Sequence, residues 1–377
     1  MYEWNYKSES KVSTGYEDLY PVLEKYTKEL YMQSSDEDKC RMIEEVCDIY
    51  QNRGIFPIDY LNEEGIREDI QRCIDFDAKV KDGVVNTGAG VGTKTCNMLF
   101  PNMYGTKNVN NITEYFKGGE NAYGRFHTRK FLRNAVKFAI EFGSESGIPY
   151  PSCVMAGIRM GGAMASNFRP MNAKALYEKY TPKNGVIFDY ACGFGGRLLG
   201  ALSSKNNYTY IGTDPNSETF ENLNTLGRYI ESVTGRKNSY RILKIGSENF
   251  KPSVGETVDY AFSSPPYFNL EQYTEEKTQC YNKFPDIYDW FEGYVRETIK
   301  NIYHVLKHDR YYSVNIADFN CDGKVINYVD TWKRFSLEAG FEFHEELRLR
   351  IPKRTHGGES KSKGSNKEER IITFYKR

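Results

Sequence analysis

Short runs of β-branched and aromatic residues recur through the second half of the chain, each followed by about ten to twenty residues of helical pattern. Val186-Ile187-Phe188, Tyr208-Thr209-Tyr210-Ile211-Gly212, Tyr240-Arg241-Ile242-Leu243-Lys244 and Val258-Asp259-Tyr260-Ala261-Phe262-Ser263 are the clearest. This alternation predicts an α/β domain with a mostly parallel sheet built from βα units. The pattern continues with a helix over about 287–306, a strand over 310–317 and a helix over about 325–339. Runs at 341–351 and 370–375 predict a closing antiparallel hairpin, with Lys353 to Glu369 as its loop. The first part of the chain reads differently. Asp18–Tyr31 and Asp36–Tyr50 place apolar residues at three- and four-residue intervals, as an amphipathic helix does. Ser34-Ser35-Asp36, followed by Glu37 and Asp38, is a helix start with acids in its first turn. Glu63–Phe76 and Thr128–Phe142 are further helices, and residues 82–122, rich in Gly, Asn and Thr, read as irregular. The expectation is a mainly helical region over 1–164 and a sheet domain over 165–377.

Bulk properties narrow the class. A chain of 377 residues exceeds one ordinary domain. With 39% hydrophobic and 27% charged residues it reads as a soluble globular protein. The 30 tyrosines are expected mostly as packing residues with a wet hydroxyl. Basic and acidic residues balance at 51 each, so nucleic-acid binding must rest on local asymmetry. Basic side chains gather from Arg348 onward (Arg350, Lys353 and Arg354 among them) and at Arg125, Arg129, Lys130, Arg133 and Lys137. Either cluster reads equally well as a solvated face. The eight cysteines form no C-x-x-C pair and the five histidines no ligand spacing, so no metal is expected. Without a signal-like or long apolar run, an intracellular, cytoplasmic chain with no membrane partner is expected.

Candidate chemistry lies at the carboxyl ends of the strand runs, where open α/β sheets bind ligands. The first run ends in Asp189-Tyr190-Ala191-Cys192-Gly193-Phe194-Gly195-Gly196. Its glycines let the backbone turn tightly and approach a nucleoside. The second run ends at Asp214-Pro215-Asn216, and an acid eighteen residues past Gly196 is placed to accept from two ribose hydroxyls. NAD and S-adenosylmethionine both present that diol, so these two elements leave the cofactor open. Ser247-Glu248, after the third run, can flank an adenine ring and is equally an ordinary turn. The fourth run ends in Ser264-Pro265-Pro266-Tyr267. Two prolines donate no backbone hydrogen bond and hold an extended path. The carbonyls of Ser264 and Pro265, with the Ser264 hydroxyl, are then free to accept from an –NH2 group, and Tyr267 and Phe268 can stack on its ring. That combination points to methyl transfer onto an amino nitrogen. Gly88-Ala89-Gly90-Val91-Gly92-Thr93-Lys94-Thr95 has the look of a phosphate loop, but Thr93 replaces the glycine required before the lysine.

The array resembles the S-adenosylmethionine-dependent amino-group DNA methyltransferases that make N4-methylcytosine or N6-methyladenine. Asp189 to Gly196 is similar to their first motif, Asp214 to their ribose-binding acid, and Ser264 to Tyr267 to their D/N/S-P-P-Y/F motif. Asn167-Phe168-Arg169-Pro170 is similar to the segment that covers the methionine end of the cofactor, which brings in Phe168 and Arg169. The resemblance spans roughly residues 165–350. It implies a Rossmann-like methyltransferase domain with a seven-stranded sheet, S-adenosylmethionine as cofactor, DNA as partner and a cognate restriction system. Serine at the head of the motif favours cytosine N4 over adenine N6. No separate recognition domain follows the motif, which leaves residues 1–164 for target recognition and Arg350, Lys353 and Arg354 as a clamp. Guanine-N2 methylation of RNA and glutamine methylation of protein use the same motif chemistry. A nicotinamide oxidoreductase and a non-catalytic DNA-binding module are the readings from other classes.

Overall fold

The computed structural model describes residues 10–85, 90–108, 120–160, 165–251, 257–321, 323–350 and 368–377. They form two compact units, one from the described residues of 10–65 and 101–166, the other from those of 66–100 and from 167 onward. Residues 66–100 therefore belong with the sheet and not with the helical region in which the sequence places them. Among the described residues no helix is long and apolar enough to cross a membrane.

The first unit is mainly helical. Its longest helix, Asp36–Arg53, starts where the sequence predicts, with the Ser35 hydroxyl accepting from the Asp38 amide, and stops at left-handed Gly54. The helix expected over 18–31 is broken into Tyr20–Leu23 and Lys28–Gln33, the second capped by Thr27. Arg129 and Arg133, expected as possible nucleic-acid contacts, reach back to that long helix. Arg129 donates to Glu44 and Asp48 at 2.8 and 2.7 Å, and Arg133 pairs with Glu44 at 2.6 Å. Arg125 is buried and donates to the Ile158 carbonyl at 2.7 Å. Three of the five cations in that cluster thus hold the unit together.

The second unit is built on nine strands, labelled in chain order: β1 Val80–Lys81, β2 Val84–Val85, β3 Val186–Asp189, β4 Thr209–Thr213, β5 Tyr240–Leu243, β6 Val258–Ser263, β7 Leu306–Ile316, β8 Glu342–Arg350 and β9 Glu368–Lys376. Their order in the sheet is β1-β2-β8-β9-β7-β6-β3-β4-β5. Strands β5, β4, β3, β6 and β7 are parallel throughout. β9 lies antiparallel to both β7 and β8, so the predicted closing hairpin is present. This is a Rossmann-like α/β fold with nine strands instead of the expected seven. The extra pair is the β1–β2 hairpin, which extends the sheet beyond β8.

The alternation of β6, buried along its whole length, shows how helices cover both faces. Tyr260 and Phe262 meet the rings of Tyr177 and Tyr180 on helix α1 (Pro170–Tyr180). Ala261 points the other way, into a core with Trp290, Ile299 and Trp332. Many tyrosines are fully buried and keep internal partners, a drier role than expected. Tyr190 donates to the Ser313 carbonyl at 2.9 Å and Tyr210 to Asp189 at 2.6 Å.

Candidate active site at the carboxyl ends of the parallel strands

β3 ends at Asp189, whose carboxylate is a fully buried hub. One oxygen accepts from the Ala191 amide (3.2 Å) and the Ser263 hydroxyl (2.8 Å), the other from Arg197 Nε (2.8 Å) and the Tyr210 hydroxyl (2.6 Å). Burial alone would lower the Arg197 pKa, but the adjoining Asp189 charge more than offsets it and raises it. Asp189 therefore shapes the glycine loop and ties it to β4, β6 and helix α2 (Gly196–Leu202). Cys192 is also turned inward, its thiol near Tyr210 and its pKa raised well above the usual range by burial. Gly193 and Gly195 adopt positive φ, and a Cβ on Gly196 would lie 1.9 Å from the Phe168 carbonyl. Only glycine permits that approach.

The segment before α1 sits on this loop. Asn167 donates to the Phe194 carbonyl at 2.7 Å and accepts from the Gly196 amide at 3.2 Å. Phe168 meets Phe262 edge to face and lies under the Arg197 guanidinium. Arg169 is half-buried and makes no ion pair among the described residues; burial lowers its pKa. A wall that the sequence did not predict comes from the helix Thr93–Leu99 and Phe100. A Cβ on Gly195 would lie 2.6 Å from the Phe100 ring, which also meets Phe194. The start of that helix is filled by the Asp69 carboxylate, accepting from the Thr95 amide (3.1 Å) and hydroxyl (2.8 Å). An internal anion thus occupies the place where a phosphate loop would hold its ligand.

Asp214 follows β4 and faces the loop. Its carboxylate accepts from the Gly193 amide (2.9 Å) and the Asn216 amide (3.0 Å). Burial raises its pKa to about 7; the two amides pull against that rise and the Asp189 charge adds to it. Beyond β5, Ser247 is 2.8 Å from the Thr298 hydroxyl, so its side chain serves the fold. Asn301 donates to the carbonyls of Ser247 and Glu248 and fixes that turn. Glu248 is buried; Lys283 and Asn249 donate to its Oε1, while Oε2 has no partner among the described residues.

Ser264-Pro265-Pro266-Tyr267 continues β6, the neighbour of β3. Ser263, just before it, donates to Asp189 and is 3.1 Å from the Ala191 carbonyl. This pins the motif beside the glycine loop. The Pro266 carbonyl accepts from Tyr328 at 3.3 Å. No hydrogen bond to the Ser264 or Pro265 carbonyl is made among the described residues. The Tyr267 hydroxyl accepts from the Ala317 amide at 3.0 Å, and its ring meets Phe319 and Tyr328 edge to face, which leaves it half-buried. Phe268, expected to stack on a substrate ring, is instead a core residue 5% exposed and packed on Trp290. Pro215 contributes its carbonyl to the Thr278 hydroxyl. Of the expected clamp, Lys353 and Arg354 lie outside the described residues, as does the side chain of Arg350. Among the described residues no three His, Cys, Asp or Glu side chains gather as a metal site.

No protein-family model matches the chain, and no curated protein matches it significantly. Solved structures do resemble it. A TehB-like S-adenosylmethionine-dependent methyltransferase from Corynebacterium glutamicum is 16% identical, over 56% of this chain and 90% of that one, with a TM-score of 0.35. TrmN from Thermus thermophilus is 15% identical, over 55% of this chain and 49% of that one (TM-score 0.36). Geranyl diphosphate C-methyltransferase from Streptomyces coelicolor, solved with S-adenosylhomocysteine, is 11% identical over 54% and 78% (TM-score 0.36). At such identities the likeness concerns the fold, and chemistry has to be argued from this chain's own residues.

Proposed function

We propose that this chain transfers a methyl group from S-adenosylmethionine to the exocyclic amine of a DNA base, with N4 of cytosine ahead of N6 of adenine. The observation that carries the reading is the junction at Ser263. It holds two unsatisfied carbonyls, on Ser264 and Pro265, next to a glycine loop flanked by two acids.

The residues fit such a cofactor. Asp214 offers acceptors to a ribose diol, Gly193 leaves open space beside the backbone, with no atom nearer than 3.8 Å to where a Cβ would lie, and Glu248, after β5, can flank an adenine ring. Arg169, half-buried and without an ion pair among the described residues, supplies a cation for the methionine carboxylate. When bound, S-adenosylmethionine supplies a methyl carbon on a positively charged sulfur. The Ser264 and Pro265 carbonyls accept both amine hydrogens, which directs the nitrogen lone pair toward that carbon. As the nitrogen becomes cationic these bonds would strengthen; the methyl carbon's bond to sulfur breaks, its electron pair staying on the departing S-adenosylhomocysteine, and one proton leaves the nitrogen toward solvent. Tyr267 stacks on the base, which must first leave its helix.

The test is incubation of DNA with labelled S-adenosylmethionine, digestion and separation of nucleosides. N4-methylcytosine is expected. Label found only in RNA guanine or protein glutamine would replace the substrate assignment, and no transfer would remove the activity.

Asp214 gives the reading a pH signature. An acid raised to about 7 is largely protonated at pH 6, when it accepts less well. Cofactor affinity should therefore weaken by about tenfold for each unit below pH 7 and level off above pH 8, as read by calorimetry. Asp214→Asn should bind weakly and without that slope; a sloping Asn variant would refute the ribose role. In the free protein the sign is opposite. The folded state keeps a proton that the unfolded chain releases above about pH 4, so this group makes stability fall from there toward pH 7.

A further inference from the structure

Methyl transfer to an amine releases a proton, and the chain just past the motif carries an acceptor for it. The Leu270 amide donates to the Tyr267 carbonyl at 2.9 Å, closing a tight turn through Phe268 at positive φ. Glu271 follows, so the turn carries it back toward the motif. Its side chain is half-buried, and Oε2 accepts from the Tyr273 hydroxyl. Tyr273 in turn sets its ring edge to face with Phe194 of the glycine loop. The Tyr267 hydroxyl feels the charges of Glu271 and of Glu369 on β9. Glu271 is held between the platform for the base and the loop that flanks the cofactor. We propose that Glu271 takes the amine proton during methyl transfer and passes it to solvent, an inference that rests on the amine-methylation reading above.

The Ser264 and Pro265 carbonyls can hold the amine hydrogens but cannot keep a proton. Once the nitrogen has bonded to the methyl carbon, one N–H bond breaks and its electron pair stays on the nitrogen. The proton forms an O–H bond with Glu271 Oε1, directly or across one water. That oxygen has no hydrogen-bond partner among the described residues, and neither Glu271 nor Glu369 has an ion pair there. A proton acceptor must be basic and still ionised at working pH. Burial raises the Glu271 pKa, the Tyr273 hydrogen bond pulls it back, and the Glu369 charge adds to the rise.

The experiment is single-turnover methylation of mixed-sequence duplex DNA by the full chain, followed against pH at saturating S-adenosylmethionine, which removes the binding dependence set by Asp214. The wild-type rate should climb along a limb above the ordinary carboxylate range and then level off. Glu271→Gln should lose that limb and about a hundredfold in rate, with S-adenosylhomocysteine affinity unchanged. Glu369→Gln removes a like charge and should move the limb to lower pH. Tyr273→Phe removes a bond that favours the ionised form and should move it to higher pH. Thermal melts establish that each variant is folded. A slow Glu271→Gln enzyme that keeps the limb would mean a mere anchor for Tyr273 and overturn the proposal, as would a near-normal rate or a limb unmoved by both neighbouring changes. A wild type that transfers no methyl group to DNA would instead overturn the reading on which it rests.

Discussion

Asp189→Asn lowers the unfolding free energy by about 3–5 kcal/mol, the cost of stripping a buried cation of its partner. Arg197 and Asp189 are almost completely enclosed. The amide that replaces the carboxylate turns an N–H toward Arg197 and Tyr210, which are already donors. Four hydrogen bonds meet on this one side chain, so the loss is larger than that of any single bond. Denaturant titration measures it. Arg197→Met combined with Asp189→Asn should be less damaging than the sum of the single changes, because no uncompensated charge remains. A loss under about 1 kcal/mol for Asp189→Asn would show that the carboxylate is not the keystone of the loop.

The largest effect on turnover is expected at Tyr267. Tyr267→Ala removes a stacking surface worth about 1–3 kcal/mol and the hydroxyl that anchors the motif to Ala317. A fall in kcat of about a hundred- to a thousandfold follows once the misplacement of the amine is included. Tyr267→Phe keeps the ring and loses only the anchor, for a fall of about tenfold or less. Ser264→Ala removes one hydroxyl while both backbone carbonyls stay, and should cost about as little. Single-turnover kinetics on methylated nucleosides gives all three. If Phe is as poor as Ala at position 267, the hydroxyl matters and stacking does not.

The parallel core was legible because each of its strands is a short β-rich run closed by glycine, proline or an acid. The β1–β2 hairpin was hidden within a glycine-rich stretch, although it carried a signal. Asp82 and Gly83 both take positive φ, the pairing that Asp-Gly favours between short strands. The glycine loop and the Ser-Pro-Pro-Tyr motif were visible because each takes a backbone path that few residues permit. Phe268 misled because its φ of 49°, unusual for an aromatic residue, turns the chain and sends the ring toward Trp290. Phe100, Asp69 and Lys283 had no motif to reveal them. They reach the site from remote or irregular segments through packing and charge pairing, which local periodicity does not encode. The cations at 129 and 133 looked available because their partners, Glu44 and Asp48, are about eighty residues away.

The position of β9 bears on how the sheet is assembled. It follows β7 and β8 in sequence yet lies between them, so β8 reaches the parallel strands only through it. Until Glu368–Lys376 inserts, the long β7 strand has one row of amides and carbonyls without partners, beside apolar Val314 and Ile316. Such a bare edge invites pairing with another chain. Translation halted before residue 368 would thus yield a product prone to aggregate rather than a shorter working enzyme.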